Sequence, residues 1–258
     1  MKPYTILLFV LCFIQSIQAQ NEENYVAKNI RLDIGLDYLK SNNQHLSFIN
    51  SEGTILQTNL YFELEPTNSF IGLSLGLRNG ELESKYAHYS PNYAEYYAEL
   101  IYARNIWKNN KWNFKVGGAI SYNLWIQQYK FATITDVVTL VPSLNLDVYT
   151  RLKYQISDKS VFLWSSSLGV MSKVGFPPYS TYDEYWIKDL DRGELLKNGS
   201  FKFINELFRW RNSFSYQKQL SNKFDIIVSF LSNHYKTGDV KKITFQSFGL
   251  QTSLKYKF

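Results

Sequence analysis

The stretch Ser232-Asn233-His234 sets a hydroxyl and an imidazole two residues apart. On a β-strand that spacing puts both side chains on one face, roughly 7 Å apart along the chain and within reach if they lean together, which is the minimum for a serine nucleophile and its base. Gln246, on the next predicted strand, is placed to orient His234, but no acidic residue is at hand to hold the imidazole in the tautomer a base needs. The plainer reading is that Ser232 and Asn233 end a strand and His234 stands at its polar rim. The other histidines, His45 and His88, fall in or beside predicted loops and match no short-range metal-ligand pair. Cys12 is the only cysteine and lies in a stretch read below as cleaved, so the remaining chain has no disulfide, zinc thiolate or cysteine nucleophile. No residue is therefore assigned to catalysis or to a metal, no cofactor is expected, and Ser232 with His234 is kept as the catalytic alternative.

These residues sit in a chain built on a two-residue period. Ten segments alternate over about ten or more residues each, at 29–40, 54–65, 70–80, 93–106, 112–126, 137–155, 160–173, 201–218, 224–235 and 242–258. The joins alternate in length. Those at 66–69, 108–111, 157–159 and 221–223 are tight and rich in Pro, Asn, Asp and Ser, while those at 41–53, 81–92, 127–136, 174–200 and 236–241 are longer. The first nineteen residues, with Lys2, the apolar run Ile6 to Ile14 and Ile17-Gln18-Ala19, predict a cleaved signal peptide, leaving residues 20–258 as one domain. Cleavage removes one of 28 basic residues and none of 22 acidic ones, so the balance becomes 27 against 22, about +5. That mild, dispersed charge predicts no nucleic-acid partner.

The faces follow from the alternation. Ile30, Leu32, Ile34, Leu36 and Tyr38 oppose Arg31, Asp33, Gly35 and Asp37; Leu144, Leu146, Val148 and Leu152 oppose Asn145, Asp147, Tyr149, Arg151 and Lys153. A soluble sandwich would turn the apolar set inward. Strand lengths that suit a tilted span, and aromatic pairs at strand ends (Trp107 with Trp112, Tyr154 with Phe162), favour lipid on that side. The final stretch, in which Leu250, Thr252, Leu254, Tyr256 and Phe258 alternate with polar residues, resembles the C-terminal signature of Gram-negative outer-membrane β-barrel proteins. The resemblance implies a single transmembrane antiparallel β-barrel of about ten strands, with short periplasmic turns and long external loops, exported to the bacterial outer membrane. Its implied partners are outer-membrane lipid and, through the last strand, the barrel-assembly machinery.

Two enzyme families of this class are natural comparisons. Outer-membrane phospholipases and lipid A deacylases are similar in principle to the Ser232 and His234 arrangement, but their order is His-x-Ser-Asn, reversed here. Resemblance to omptin-type proteases requires inward Asp pairs and an Asp-x-His set at the outer rim, and no Asp-x-His occurs in the chain.

The inward parity places Arg31, Arg78, Lys115, Arg151, Lys153, Arg209, Arg211, Lys255 and Lys257 against Asp33, Asp37, Glu63, Glu65, Glu95, Glu99, Asp147 and Asp225. A near-balanced set in so narrow a barrel predicts a lumen filled by ion pairs, with a narrow channel as the alternative. The external loops supply Tyr86, Tyr89 and Tyr93, then Tyr179, Tyr182, Tyr185 and Trp186, within a join of 27 residues at 174–200. Tyrosine and tryptophan offer large contact area with a polar tip, so these loops predict an envelope protein or glycan partner. The run from Ser180 or Thr181 predicts a short helix ended by Gly199. The function expected is therefore envelope interaction or structure.

Overall fold

The computed structural model describes residues 27–43, 50–84, 91–130, 136–175, 192–238 and 242–258. The signal peptide predicted at 1–19 lies outside them. Strands in chain order are β1 (Ala27–Asn43), β2 (Asn50–Glu65), β3 (Ser69–Glu81), β4 (Glu83–Ser84), β5 (Asn92–Lys108), β6 (Trp112–Lys130), β7 (Asp136–Ser157), β8 (Ser160–Val174), β9 (Ser200–Phe203), β10 (Leu207–Gln219), β11 (Phe224–Thr237) and β12 (Ile243–Lys257), with one short helix, α1 (Arg192–Lys197). All twelve strands form one sheet, in which β4 and β9 are short extensions and the other ten make the wall. Each wall strand is antiparallel to its neighbours. The last strand returns to the first, with β1 and β12 in register from Asn29↔Lys257 to Asn43↔Ile243. Closure leaves no wall strand with an unpaired edge, which in lipid would strand amide groups at several kcal/mol each.

The tight joins have local causes. In the β2–β3 turn the Ser69 amide donates to the Pro66 carbonyl at 3.2 Å. Asn109 closes the β5–β6 turn by accepting from the Lys111 and Trp112 amides at 2.9 and 2.8 Å. Ser221 does the same for Phe224 at 3.1 Å between β10 and β11. These Asx and Ser turns replace the ladder bonds that each reversal interrupts. The turns and both chain ends of the wall lie at one end of the barrel, here the turn end; the opposite one is the loop end.

Wall strands run from 13 residues (β3, β10) to 22 (β7). A tilted span needs only about 9–11, so the barrel is taller than an apolar belt requires. At the turn end Trp112 and Tyr154 pack at a tilt with centroids 4.3 Å apart, as expected of an interfacial aromatic girdle. The outward set is exposed and apolar, including Leu32, Ile34, Leu36, Leu144, Leu146, Val148, Leu250 and Leu254. No helix among the described residues is long and apolar enough to cross a membrane.

Two expectations need correction. The eighth predicted strand, 201–218, is broken: β9 pairs with Met171–Val174 of β8, a turn occupies 204–206, and β10 then joins β8 only from Trp210↔Leu168 to Lys218↔Ser160. The Glu206 amide bonds to the Phe203 carbonyl at 2.8 Å, which stabilises the turn that interrupts the strand. Tyr93, assigned to an external loop, is the second residue of β5 and is 3% exposed inside the barrel. It shares the inward parity of Glu95 and Glu99. The predicted helix is present in the described part as α1, with Gly199 just beyond it.

Candidate functional site: a sealed lumen

Three groups of ion pairs cross the lumen, each held by strands far apart in sequence. Towards the turn end, Arg31 on β1 meets Asp33 at 2.7 Å and Glu63 of β2 at 3.0 Å, and Lys255 of β12 reaches the same Glu63 at 2.7 Å. The Arg31 guanidinium also lies 4.2 Å over the Tyr61 ring. Arg151 of β7 pairs with Glu65 at 2.9 Å while its guanidinium covers the buried Phe70 ring at 4.0 Å. Halfway up, Asp147 of β7 lies between Arg209 and Arg211 of β10, with Arg211 also bonded to Glu99 of β5. Towards the loop end, Arg78 of β3 bridges Asp37 of β1 and Glu95 of β5, and Glu95 accepts from Tyr93 and Asn123 at 2.9 Å each.

Glycine makes room for lumen side chains at two places. A Cβ at Gly249 would collide with the Asp37 carboxylate, and one at Gly76 would collide with the Tyr97 ring. All eight residues expected as lumen charges (Arg31, Asp33, Glu95, Glu99, Asp147, Arg151, Arg209 and Arg211) thus face the lumen, each in at least one ion pair.

Above the charges the lumen is closed by an apolar cluster. Leu39, Ile55, Leu82, Val174, Leu207 and Ile243 are almost wholly buried and join Tyr93, Trp125, Tyr235 and Phe245 in one cluster across the loop end. Trp125 meets Tyr235 edge-on with centroids 4.4 Å apart and Phe245 at 5.4 Å. This plug was missed in the sequence. Its signal is that alternation gives way to apolar residues on both faces near strand ends, as in Tyr38-Leu39 and Ile55-Leu56. A second apolar cluster, Phe70, Ile101, Ala103, Ala119 and Tyr149, fills the half nearer the turns. Between them is a cavity of about 190 Å³ with Tyr61, Tyr97, Arg31 and Arg211 on one side and Ser165, Ser213 and Ser229 on the other.

The catalytic alternative, Ser232 with His234, lies on β11. Ser232 and His234 do share the outward face of β11, but the His234 ring is engaged across strands, by Gln246 at 3.0 Å through Nδ1 and by Phe208 edge-on at 5.5 Å. Among the described residues no hydrogen bond joins Ser232 to His234 and no carboxylate pairs with the imidazole. Replacing Ser232 by Ala is expected to leave the envelope lipid profile unchanged by mass spectrometry; loss of a lipid product in that variant alone would establish a hydrolase. No group of metal-ligating side chains occurs among the described residues. His45, His88, Tyr86, Tyr89, Tyr179, Tyr182, Tyr185 and Trp186 lie outside them.

No protein-family model and no curated protein matches the sequence. Among solved structures the chain is similar to the outer membrane protease OmpT from Escherichia coli, with a TM-score of 0.51 at 9% identity over 92% of this chain and 97% of that one. It is also similar to the neisserial surface protein NspA (TM-score 0.36, 8% identity, 89% of this chain and 97% of that one) and to Ail, the attachment invasion locus protein of Yersinia pestis (0.31, 11%, 89% and 98%). The chain thus has the fold of the bacterial outer-membrane β-barrels. The likeness to OmpT is one of fold alone. The loop-end lumen here holds the apolar cluster around Trp125 and Phe245, and the only described histidine, His234, is on the outer wall.

Proposed function

We propose that this protein is a non-conducting barrel of the bacterial outer membrane that acts through its external surface, in envelope interaction or structure. The observation that carries the reading is the apolar cluster across the loop end, packed above three ion-pair groups that are already paired with one another. Water and ions would have to cross a layer of tightly packed aromatic and aliphatic side chains, with neutral groups such as Gln127 and Ser41 bonded to each other beside it, and apolar constrictions of this kind block conduction. With the turn end in the periplasm, the long joins face outward, and Tyr86, Tyr89, Tyr179, Tyr182, Tyr185 and Trp186 become contact residues for an envelope protein or glycan. Lipid covers the apolar wall, and the last strand is the segment offered to the assembly machinery. The role needs no cofactor.

Reconstitution in a planar bilayer tests the reading. The folded protein is expected to give no discrete current steps in salt solution, while Trp125→Ala with Phe245→Ala raises leak without abolishing insertion. Steady steps from the wild-type protein would replace this reading with a channel.

A further inference from the structure

The outward wall is mostly apolar, with threonines such as Thr58, Thr150 and Thr252 along it and the His234–Gln246 pair towards the loop end, but one place on it gathers polar side chains on adjacent strands. Ser166 of β8, Asn212 of β10 and Ser232 of β11 face each other directly across the ladder, forming a polar row on the outer side of three adjacent strands. Apolar and aromatic side chains border the row on both sides. Trp164, Phe214 and Phe230 form the next outward row towards the turns, and Leu168, Trp210 and His234 stand towards the loops. Trp210 donates its indole N–H to Ser166 Oγ at 3.0 Å, which turns that hydroxyl towards its neighbour. Asn212 is different. It is only 8% exposed although it lies on the outward face, and among the described residues its amide has no hydrogen-bond partner.

An unpaired amide set into a surface that faces hydrocarbon is costly, because lipid tails supply neither donor nor acceptor. Small residues that let backbones approach, with a polar side chain to bond across, are the usual composition of contacts between membrane-embedded proteins. We infer that this row is a lateral interface between two copies of the chain within the membrane, centred on Asn212.

The choice of a second copy follows from the chemistry of the row. A carboxamide carries two N–H donors and an acceptor oxygen, and each serine hydroxyl is both donor and acceptor, so the row is complementary to itself. It carries no formal charge that would call for an opposite one. Two copies in one membrane with the same orientation must be related by an axis along the bilayer normal, and their shared surface must be isologous. Because wall strands tilt, the row is inclined to the membrane plane, and the rows of two facing copies cross at a single point. With Asn212 at the middle of its row, the crossing brings the two carboxamides together and leaves Phe214, Phe230 and Trp210 of each copy as an apolar surround. That is the anatomy of a small buried polar centre within an apolar contact.

The inference rests on the membrane reading, and one set of samples separates the two. Membranes from cells expressing Asn212→Cys, with Cys12→Ser to remove the native thiol, are treated with a mild oxidant and compared with Leu75→Cys on the opposite wall, where an exposed leucine occupies the outward face of β3. The expected result is a disulfide-linked species of twice the monomer mass for Asn212→Cys and monomer alone for Leu75→Cys. Carbonate-resistant, heat-modifiable protein that stays monomeric, or that links equally at both positions, or that links to a different protein, overturns the dimer while leaving the barrel in place. Protein that leaves the membrane with carbonate overturns both. As a second measure, single-molecule bleaching in vesicles is expected to show two-step bleaching in the parent and single-step bleaching in Asn212→Leu; an unchanged distribution overturns the role of the amide.

Discussion

Asp147→Ala is expected to lower the stability of the folded barrel by about 3–5 kcal/mol, measured by urea unfolding in lipid. The carboxylate is the shared partner of Arg209 and Arg211, is itself almost fully buried, and accepts a further bond from Ser167 at 2.7 Å. Its removal deprives two buried guanidinium groups of the carboxylate they share, and breaking a buried pair by deleting one partner costs about this much. Arg211 keeps Glu99, so the loss is expected to centre on Arg209, which retains only neutral acceptors such as Ser121 Oγ at 3.0 Å. Two companions check that cause. Asp147→Asn keeps the shape and one acceptor, and should lose less. Asp147→Leu combined with Arg209→Met removes the charge as well as its partner and should recover much of the loss, since an apolar replacement of a whole pair is often neutral or better. If the double variant is no more stable than Asp147→Ala, the damage comes from packing rather than from an uncompensated charge.

Leu250→Arg is the second large effect, and its sign depends on what lies outside the wall. Leu250 is 64% exposed on β12, in the outward row that continues through Leu36 and Leu56. In a water-soluble protein an exposed leucine is replaced by arginine within about 0.5 kcal/mol. On the lipid face of a membrane barrel the same change costs about 2–4 kcal/mol near the midplane and falls to about 0–1 near the interfaces. Scanning arginine along β12, through Leu254, Leu250 and Phe248, should therefore give a cost that rises and falls with position. Reversible unfolding in lipid vesicles measures it. A flat profile near zero would mean that this surface faces water.

The wall was legible because its physics is local. A period of two needs no knowledge of distant residues, and a strand that is apolar on one side and charged on the other declares both faces over a few residues. The tight joins could be read for the same reason, since Asn109 and Ser221 make their bonds within three residues. Parity along β1, β2, β5, β7 and β10 was likewise enough to turn every expected lumen charge inward. Boundaries were less legible. Tyr93 both opens the predicted strand 93–106 and counts among the aromatics of the loop before it, and its parity with Glu95 puts it in the lumen.

What the order of residues determined by itself was the closed, ten-stranded, inside-polar barrel and the identity of its lumen charges. What only the tertiary structure decided was which charge meets which, that an apolar cluster closes the loop end, and that His234 is bonded to Gln246. Arg78 reaches Ser247 across 169 positions and Lys255 reaches Glu63 across 192. Such partners are set by closure and strand register, which sum over the whole wall. The plug has the same origin. Leu39, Trp125, Val174 and Phe245 are ordinary strand residues one at a time, and they become a seal only where ten strand ends converge on one axis.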